Sequence, residues 1–365
     1  MKPNNASAPY GILVAAILIV VNTAVYARTN ITLTPAGGIT MPAGYSDDSL
    51  EVEVQQKADL NGPIIADSLA MGNITGYPVG KAHVGSLPHF SVGVALGTGM
   101  TNMRYFDDSR PESDNGSLPG ITPNPVLHFA LGLTKDFDVL GKYFSLSDTV
   151  VDPGLDTDIA KLTDYKLLSL GGKLRYNIVK RKKLLPFIFN FGGLTVSAGA
   201  DFQYGDIRVQ GDYDADLPEV DVSITAPAAF TGTITTQFDG QYAARALYSI
   251  FSLSAQAVAY FDVFYLFSFY TGFGLTGNVG YFKMDFDGDG VLTTDDPGYN
   301  AAAGTDQIGT LLFESSNKYH PYYAFPTYLI GLEINLWVLK VTGETMVNLY
   351  NRRDVNATVG VRVQI

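Results

Sequence analysis

The most constraining feature of this sequence is an alternation, residue by residue, between apolar side chains and small or polar ones, which recurs from Phe90 to the C-terminus. It is clearest in residues 168–178, 328–336 and 355–365. Such a period gives a strand one apolar face and one polar face. The alternating segments exceed the roughly five or six residues of an ordinary strand and match the roughly 9 to 11 that a tilted strand needs to cross a membrane. The pattern therefore predicts membrane-spanning β-strands.

The connections between these segments alternate in length, which favours a barrel over a soluble sandwich. Short connections fall at residues 134–136, 179–186, 261–264 and 337–340, and long polar ones fall at residues 98–125, 147–164, 205–235 and 285–325. A bacterial barrel has short periplasmic turns and long outer loops, whereas a sandwich has no reason to sort its loops by length. One outward turn, at residues 351–354, is short. We therefore predict an all-β, transmembrane antiparallel β-barrel of about 12 strands (about 10 to 14) over residues 88–365.

Two local irregularities refine this prediction. The alternation slips in phase near Gly192, which is typical of a β-bulge. Residues 219–238, within one of the long connections, have the pattern of one further hairpin.

The N-terminal part of the chain predicts export. An apolar run from Ile12 to Val21 follows a single Lys, and small residues precede a cleavage position after Ala27. The run has about half the length of a spanning helix, so residues 1–27 are interpreted as a signal peptide and an uncleaved anchor is the alternative. Residues 28–87 alternate poorly and are rich in Gly and Pro. They are interpreted either as a plug in the lumen or as a periplasmic segment, irregular or with two poorly patterned strands.

Composition excludes several classes of function. The chain has no Cys, so disulfides, thiolate metal sites and thiol catalysis are excluded. A net charge of -12 with only 24 Lys and Arg argues against a nucleic-acid partner. No GxSxG elbow, Walker loop or metal-binding His pair is present, so we do not predict an enzyme. A hydrolase site spread over the barrel wall, which has no linear signature, is the alternative.

The sharpest local motif is DFDGDGVLTTDD, residues 285–296, which fits a twelve-residue calcium loop with Gly290 at its sharp turn. Carboxylates at alternate positions without a cation would leave like charges unpaired, so a structural Ca²⁺ is predicted, and a solvated acidic loop is the alternative. The predicted ligands are Asp285, Asp287, Asp289, the Val291 carbonyl, Thr293 and Asp296.

Five charged residues on alternating strands are predicted to point into the lumen. They are Lys173, Arg175, Glu333, Glu344 and Arg362. They are interpreted either as a charged lining that selects solutes or as ion pairs that fill the barrel.

The final strand, NATVGVRVQI, resembles the terminal strand of outer-membrane barrels of diderm bacteria, although Ile365 replaces the usual Phe. The segment GLTKDFDVLGKYF and the Gly- and Pro-rich region before it resemble spirochaetal surface barrels related to the long-chain fatty-acid transporters. This resemblance implies insertion by the barrel-assembly machinery. It also implies that hydrophobic solutes diffuse past an N-terminal hatch and out through the wall.

Together these features predict an outer-membrane channel or transporter for the passive passage of small solutes, hydrophobic ones among them, with outer-membrane lipid as its surroundings. The alternative from another class is a surface adhesin with calcium-stabilised loops. A third interpretation is a soluble exported β-protein whose apolar faces pack on each other.

Overall fold

The computed structural model describes residues 29–35, 39–40, 61–77, 89–104, 117–147, 161–185, 188–224, 229–351 and 354–365. The predicted signal peptide, residues 1–27, lies outside these residues, as does much of the predicted N-terminal segment 28–87. Within them, no helix is both long and apolar enough to cross a membrane.

Strands dominate the described part of the chain. In chain order they are β1 (Thr29–Pro35), β2 (Ile39–Thr40), β3 (Phe90–Arg104), β4 (Ser117–Gly132), β5 (Phe137–Ser147), β6 (Lys161–Val179), β7 (Lys182–Leu185), β8 (Phe189–Ile224), β9 (Phe230–Val263), β10 (Phe267–Thr293), β11 (Gln307–Tyr319), β12 (Ala324–Leu336), β13 (Leu339–Asn348) and β14 (Val355–Gln364). The helices are α1 (residues 61–73) and α2 (Pro297–Ala303).

Ten of these strands close into a ring. Each pairs antiparallel with the next in the order β3, β4, β5, β6, β8, β9, β10, β12, β13, β14, and β14 pairs back onto β3. Closing a sheet into a ring pairs its two edges with each other, which is why barrels are compatible with lipid. The outer part of the β4–β5 seam is an exception, because pairing there ends at Leu127 and Tyr143. The predicted fold class is confirmed, with ten strands in the ring, at the lower end of the predicted range.

The two faces of the wall differ as the alternation predicts. Apolar side chains on the outer face are exposed, among them Val94, Leu127, Leu174, Phe273 and Val359 at 54% to 63%. The inner face buries polar side chains such as Ser252 and Asn356. Apolar groups outside and polar groups inside are the arrangement of a barrel in lipid, the reverse of a soluble protein. The chain is therefore an outer-membrane β-barrel.

The short connections lie at one end of the ring, which is the periplasmic end. In the three-residue turn between β9 and β10, Phe264 and Tyr265 have positive φ of 52° and 56°, the left-handed backbone that tight hairpin turns use. In the β12–β13 turn, Trp337 has φ of 60° and is 89% exposed. Aromatic side chains at this level are typical of the girdle that barrels place at the membrane interface.

At the extracellular end of the barrel, one side of the wall continues far beyond the lipid. β10 pairs with β12 up to Gly277, and from Phe282 to Thr293 it pairs with β11 instead. β8 and β9 continue beside it to Ile224 and from Phe230, and β1 adds to the edge of β11. We call this region, β11 with the outer parts of β8, β9 and β10, the extracellular sheet.

The prediction that residues 205–235 and 285–325 are loops is therefore wrong. Above the lipid, a strand can carry polar side chains on its outer face, so the alternation that reveals lipid-facing strands weakens there. The inner face of the extracellular sheet buries aromatic residues, including Tyr242, Tyr248, Phe282 and Tyr319. Residues 219–238 form the outer end of the β8–β9 hairpin and not one further hairpin. The predicted slip near Gly192 is confirmed, since the register shifts between Phe191 and Gly193.

Candidate functional site

The lumen contains residues 61–77, which we call the lumen segment. Met71, Asn73 and Ile74 are at most 1% exposed. Hydrogen bonds to well-separated strands of the ring are Asn73 Nδ2 to Ile250 O on β9 (3.3 Å), Asn124 Nδ2 on β4 to Gly72 O (2.8 Å) and Asn356 Nδ2 on β14 to Met71 O (3.4 Å). Because these strands lie on different sides of the ring, the segment is enclosed by the wall.

Two buried lysines hold the C-terminal end of the lumen segment. Lys142 on β5 donates to the carbonyls of Asn73 and Thr75, and Lys173 on β6 donates to the carbonyl of Ile74 (3.3 Å). The last carbonyls of a helix lack partners within the helix and carry partial negative charge, so cations stabilise them.

A carboxylate and an aromatic ring complete this anchor. Asp201 on β8 forms an ion pair with Lys142 (2.9 Å) and accepts a hydrogen bond from the Tyr77 hydroxyl. The ammonium groups of Lys142 and Lys173 lie 5.0 and 4.3 Å from the centre of the Tyr77 ring, within reach of a cation–π interaction. We call Lys142, Lys173, Asp201 and Tyr77 the lumen anchor.

Glycines on β3 allow the lumen segment to lie directly against the wall. A Cβ at Gly99 would overlap the carbonyl oxygen of Ser68, and one at Gly97 would overlap the Thr75 hydroxyl. These two positions therefore require glycine for close approach of the segment to the strand.

The wall is incomplete between β4 and β5. β4 pairs with β3 along its whole length, whereas its pairing with β5 ends at Leu127 and Tyr143, six residue pairs from the periplasmic end. A spanning strand needs about 9 to 11 residues, so the outer part of this seam is unpaired at the level of the lipid. We call the stretch between β4 residues 122–126 and β5 residues 144–146 the wall gap.

Prolines explain where the pairing ends. Gly132 N donates to His89 O on the β3 side, and Leu133 N donates to Phe137 O on the β5 side, so odd positions of β4 direct their N–H toward β5. The β3–β4 register has no shift, so Pro123 and Pro125 also occupy positions that face β5. Proline has no N–H, so β5 finds no donor at either position, while pairing with β3 is unaffected.

The lumen segment covers the wall gap from inside. The hydroxyl oxygens of Ser68 and Thr122 are 2.9 Å apart, and Asn124 bonds the Gly72 carbonyl. Val126 packs against Gly76, whose φ of +84° favours glycine. Every inward-facing residue of β4 along the gap therefore contacts the segment.

A family model described as Lsa36-like matches residues 64–365, which include most of the lumen segment and the whole ring. The chain belongs to the Lsa36-like family. No curated protein matches its sequence.

Solved structures similar to this Lsa36-like barrel perform different tasks. They include the outer-membrane protease OmpT from Escherichia coli (11% identity, TM-score 0.30, covering 76% of this chain and 97% of that one), the P. putida toluene transporter TodX (9%, 0.26, 84% and 99%) and the transport unit of the autotransporter AIDA-I from Escherichia coli (10%, 0.26, 82% and 98%). At such low identities and TM-scores, none of these activities transfers to the Lsa36-like chain.

The six residues predicted to bind calcium do not form a loop in this Lsa36-like barrel, so that conformation was predicted wrongly. Asp285, Asp287, Asp289, Val291 and Thr293 are all in β10, and Gly290 pairs with its neighbours on β9 and β11 instead of turning. Alternate residues of a strand lie about 7 Å apart, so these residues are spread along β10 in this conformation.

Two of these carboxylates have protein partners. Asp285 accepts from Ser316 (2.7 Å) and pairs with Lys283 (2.7 Å), while Asp296 caps α2 by accepting from Tyr299 N (2.8 Å). No group of three or more potential metal ligands occurs within the described ranges. Calcium binding itself stays a prediction.

The charged residues predicted to face inward do so, and most are paired. Arg362 pairs with Glu333 and Arg175 pairs with Asp138 (2.7 Å), all at most 4% exposed. Lys173 belongs to the lumen anchor, and Glu344 is half-buried on β13. The ion-pair interpretation therefore describes these residues better than an open charged lining.

Sequence reasoning missed the lumen anchor residues Lys142, Asp201 and Tyr77, and also Pro123 and Pro125. Tertiary contacts create the anchor, so no linear pattern marks it. The prolines do carry a signal, because two prolines at same-parity positions within one strand remove donors from one edge.

Proposed function

We propose that this outer-membrane barrel allows small hydrophobic solutes to pass passively between the extracellular medium and the lipid, through the wall gap, with the lumen segment as its hatch. The observation that carries the proposal is the unpaired seam between β4 and β5 at the level of the lipid.

The energetics of backbone groups in lipid support an opening at this seam. Each N–H or C=O without a partner in hydrocarbon costs several kcal/mol, and irregular backbone at that depth is tolerated where it lines a cavity. Exposed apolar side chains border the gap on the outside, among them Leu127 (54%) and Tyr143 (47%). A solute that leaves here enters lipid directly, which suits an apolar molecule.

The lumen segment makes a straight aqueous pore the less favoured mechanism. It lies within the bore, and its polar groups bond the wall on several sides. Passage along the axis would require the lumen anchor to break, whereas passage through the gap requires only that the segment move away from β4.

A reversible lock between Ser68 and Thr122 tests this proposal. Their hydroxyl oxygens are 2.9 Å apart, so cysteines at both positions are in reach of a disulfide, and the natural chain has no other thiol. Cells expressing the S68C/T122C variant should take up the hydrophobic dye N-phenylnaphthylamine several-fold more slowly when oxidised, and reductant should restore the rate.

The single variants S68C and T122C, treated with the same oxidant, are the controls. Both should keep the rate of the natural protein. If the locked double variant takes up the dye as fast as the controls, the hatch role of the lumen segment is wrong.

A second candidate function, surface adhesion, is favoured by the extracellular sheet. Its outer face holds a polar groove of about 690 Å³ whose lining includes Arg208, Arg245, Asp285 and Glu314. Calcium-dependent binding of the purified barrel to immobilised matrix proteins, lost when these charges are neutralised, would support adhesion. Dye uptake that depends on the lock supports passage of solutes instead.

A further inference from the structure

We propose that the barrel displays its own N-terminal region on the cell surface, and that the lumen segment is the connection by which the chain passes from outside, through the lumen, to the periplasmic start of the wall. This inference does not rest on the transport proposal.

The strands before the lumen segment lie on the extracellular side. β1 pairs with β11 from Thr29 opposite Ser315 to Pro35 opposite Gly309. On its other edge, β11 pairs with β10 from Phe282 to Thr293, above the lipid-level pairing of β10 with β12. β2 pairs with Ser223 and Ile224, at the far end of β8.

The lumen segment runs downward from that side. Near its start, Gly62 contacts the ring of Tyr319 at the end of β11, and Asp67 Oδ1 accepts a hydrogen bond from Tyr322 N (2.7 Å) in the β11–β12 connection. Near its end, Tyr77 reaches Asp201 within the lipid-level part of the wall. A 13-residue helix is about 20 Å long, close to the roughly 25 Å of a barrel's apolar band.

The chain resumes at the opposite end of the ring. Phe90 N donates to Ile365 O (2.9 Å), and Phe90 O accepts from Ile365 N (3.0 Å), beside the short turns. The described residues thus occur in the order extracellular sheet, lumen, periplasmic rim. A plug that entered and left at the periplasmic side would instead place β1 and β2 beside the short turns.

This order has a consequence for assembly. An exported chain reaches the barrel from the periplasm, so residues 29–40 must cross the outer membrane before or while the ring closes around the lumen segment. The glycine face of β3 and the lumen anchor then hold the connection in place.

Single cysteines and a membrane-impermeant maleimide test the threading, because the natural chain has no thiol. Thr34→Cys reports on β1, where Thr34 is exposed. Tyr323→Cys, 77% exposed at the extracellular end, is the matched outer control, and Trp337→Cys, 89% exposed, is the periplasmic control.

On intact cells, T34C and Y323C should be labelled to a similar extent, and W337C should be labelled only after lysis. Labelling of T34C only after lysis, with Y323C labelled before it, overturns the proposal. Heat-modifiable migration checks that each variant is folded.

If T34C does not fold, an epitope inserted after Pro35 gives the same readout by antibody binding to intact cells. Neither measurement involves solute uptake, so failure of the threading and failure of the proposed transport are distinguishable.

Discussion

Two seams of the same wall differ greatly in how far their strands pair. β8 and β9 pair from Phe189 opposite Val263 to Ile224 opposite Phe230, whereas β4 and β5 pair over six residues only. Both are antiparallel neighbours joined by a connection at one end. The difference lies in the backbone donors, since β4 has proline where β5 needs an N–H.

The long β8–β9 seam also contains a proline, and its pairing continues beyond it. The β8–β9 register shifts between Leu217 and Val220, the stretch that contains Pro218, and pairing resumes beyond it. A lone proline above the lipid is accommodated by a local irregularity, whereas two prolines at same-parity positions end the pairing. The spacing of prolines thus determines where the wall is open.

The largest expected effect comes from placing a proline in the closed seam. Ala257 on β9 pairs with Val196 and Phe273 at the level of the lipid. Ala257→Pro removes a ladder hydrogen bond where no water can replace it, at a cost of several kcal/mol. The variant should show no folded, heat-modifiable band on a gel, while Ala257→Val should show one. A normal band for the proline variant would contradict our account of the seams.

Next in size is the loss of the lumen anchor. Lys142→Met leaves the buried Asp201 carboxylate without its ion-pair partner, which should destabilise docking of the lumen segment by about 3 to 5 kcal/mol. Amide hydrogen exchange in residues 61–77 should then accelerate. The double variant K142M/D201N, which removes both charges, should recover part of the protection, and unchanged exchange in the single variant would show that the anchor is not needed.

A smaller effect is expected from closing the wall gap. Pro123→Val and Pro125→Val together return two N–H donors to the β5 side of β4, and each new hydrogen bond should contribute about 0.5 to 1.5 kcal/mol. Amide exchange of residues 144–146 should slow, and dye uptake should fall several-fold. Pro326→Val on β12, away from the gap, is the control. If amide exchange slows while dye uptake is unchanged, the wall gap is not the route of transport.

The smallest effect concerns an ion pair on the extracellular sheet. Two hydrogen bonds from Arg245 (2.8 and 2.7 Å) lower the pKa of the Asp206 carboxyl below its usual value. A lowered folded-state pKa contributes stability above the unfolded value of about 4 and loses it as the pH falls through the folded value. Arg245 is 35% exposed, so the contribution should be only about 0.2 to 1 kcal/mol.

Unfolding in urea as a function of pH checks this ion pair. Arg245→Gln should be less stable than the natural protein at neutral pH, and the difference should vanish below the folded-state pKa of Asp206. Gln210→Ala, on the same outer face, should show no such pH dependence. A difference that persists in strong acid would assign the effect to packing instead.

The lipid-facing strands could be predicted because their outer face lies against lipid and their inner face against the polar lumen. Residues 168–178 and 355–365 must be apolar outward and polar inward, and that constraint appears directly in their sequences. The outer part of β8 has water on its outside, so the constraint disappears and the segment was predicted as a loop. The same change of solvent explains why an acidic strand, residues 285–293, was predicted as a calcium loop.

The candidate site could be predicted only in part. The inward direction of Lys173 and Arg175 follows from the parity of β6, but the partner of Lys173 is a helix carbonyl far away in sequence. The lumen segment itself has neither the length nor the alternation that marks the wall. Its position depends on contacts with eight strands, which no local pattern encodes.

The one-sided extracellular sheet determines what a large molecule meets first at the cell. From Gly205 to Ile224, β8 continues for 20 residues beyond the lipid-level wall, a reach on the order of 50 Å for a tilted strand. On the other side, β13 ends at Asn348 and β14 begins at Val355, at the level where β12 pairs through Thr327. An antibody or a phage would therefore contact the outer ends of β8 and β9 well above the lipid.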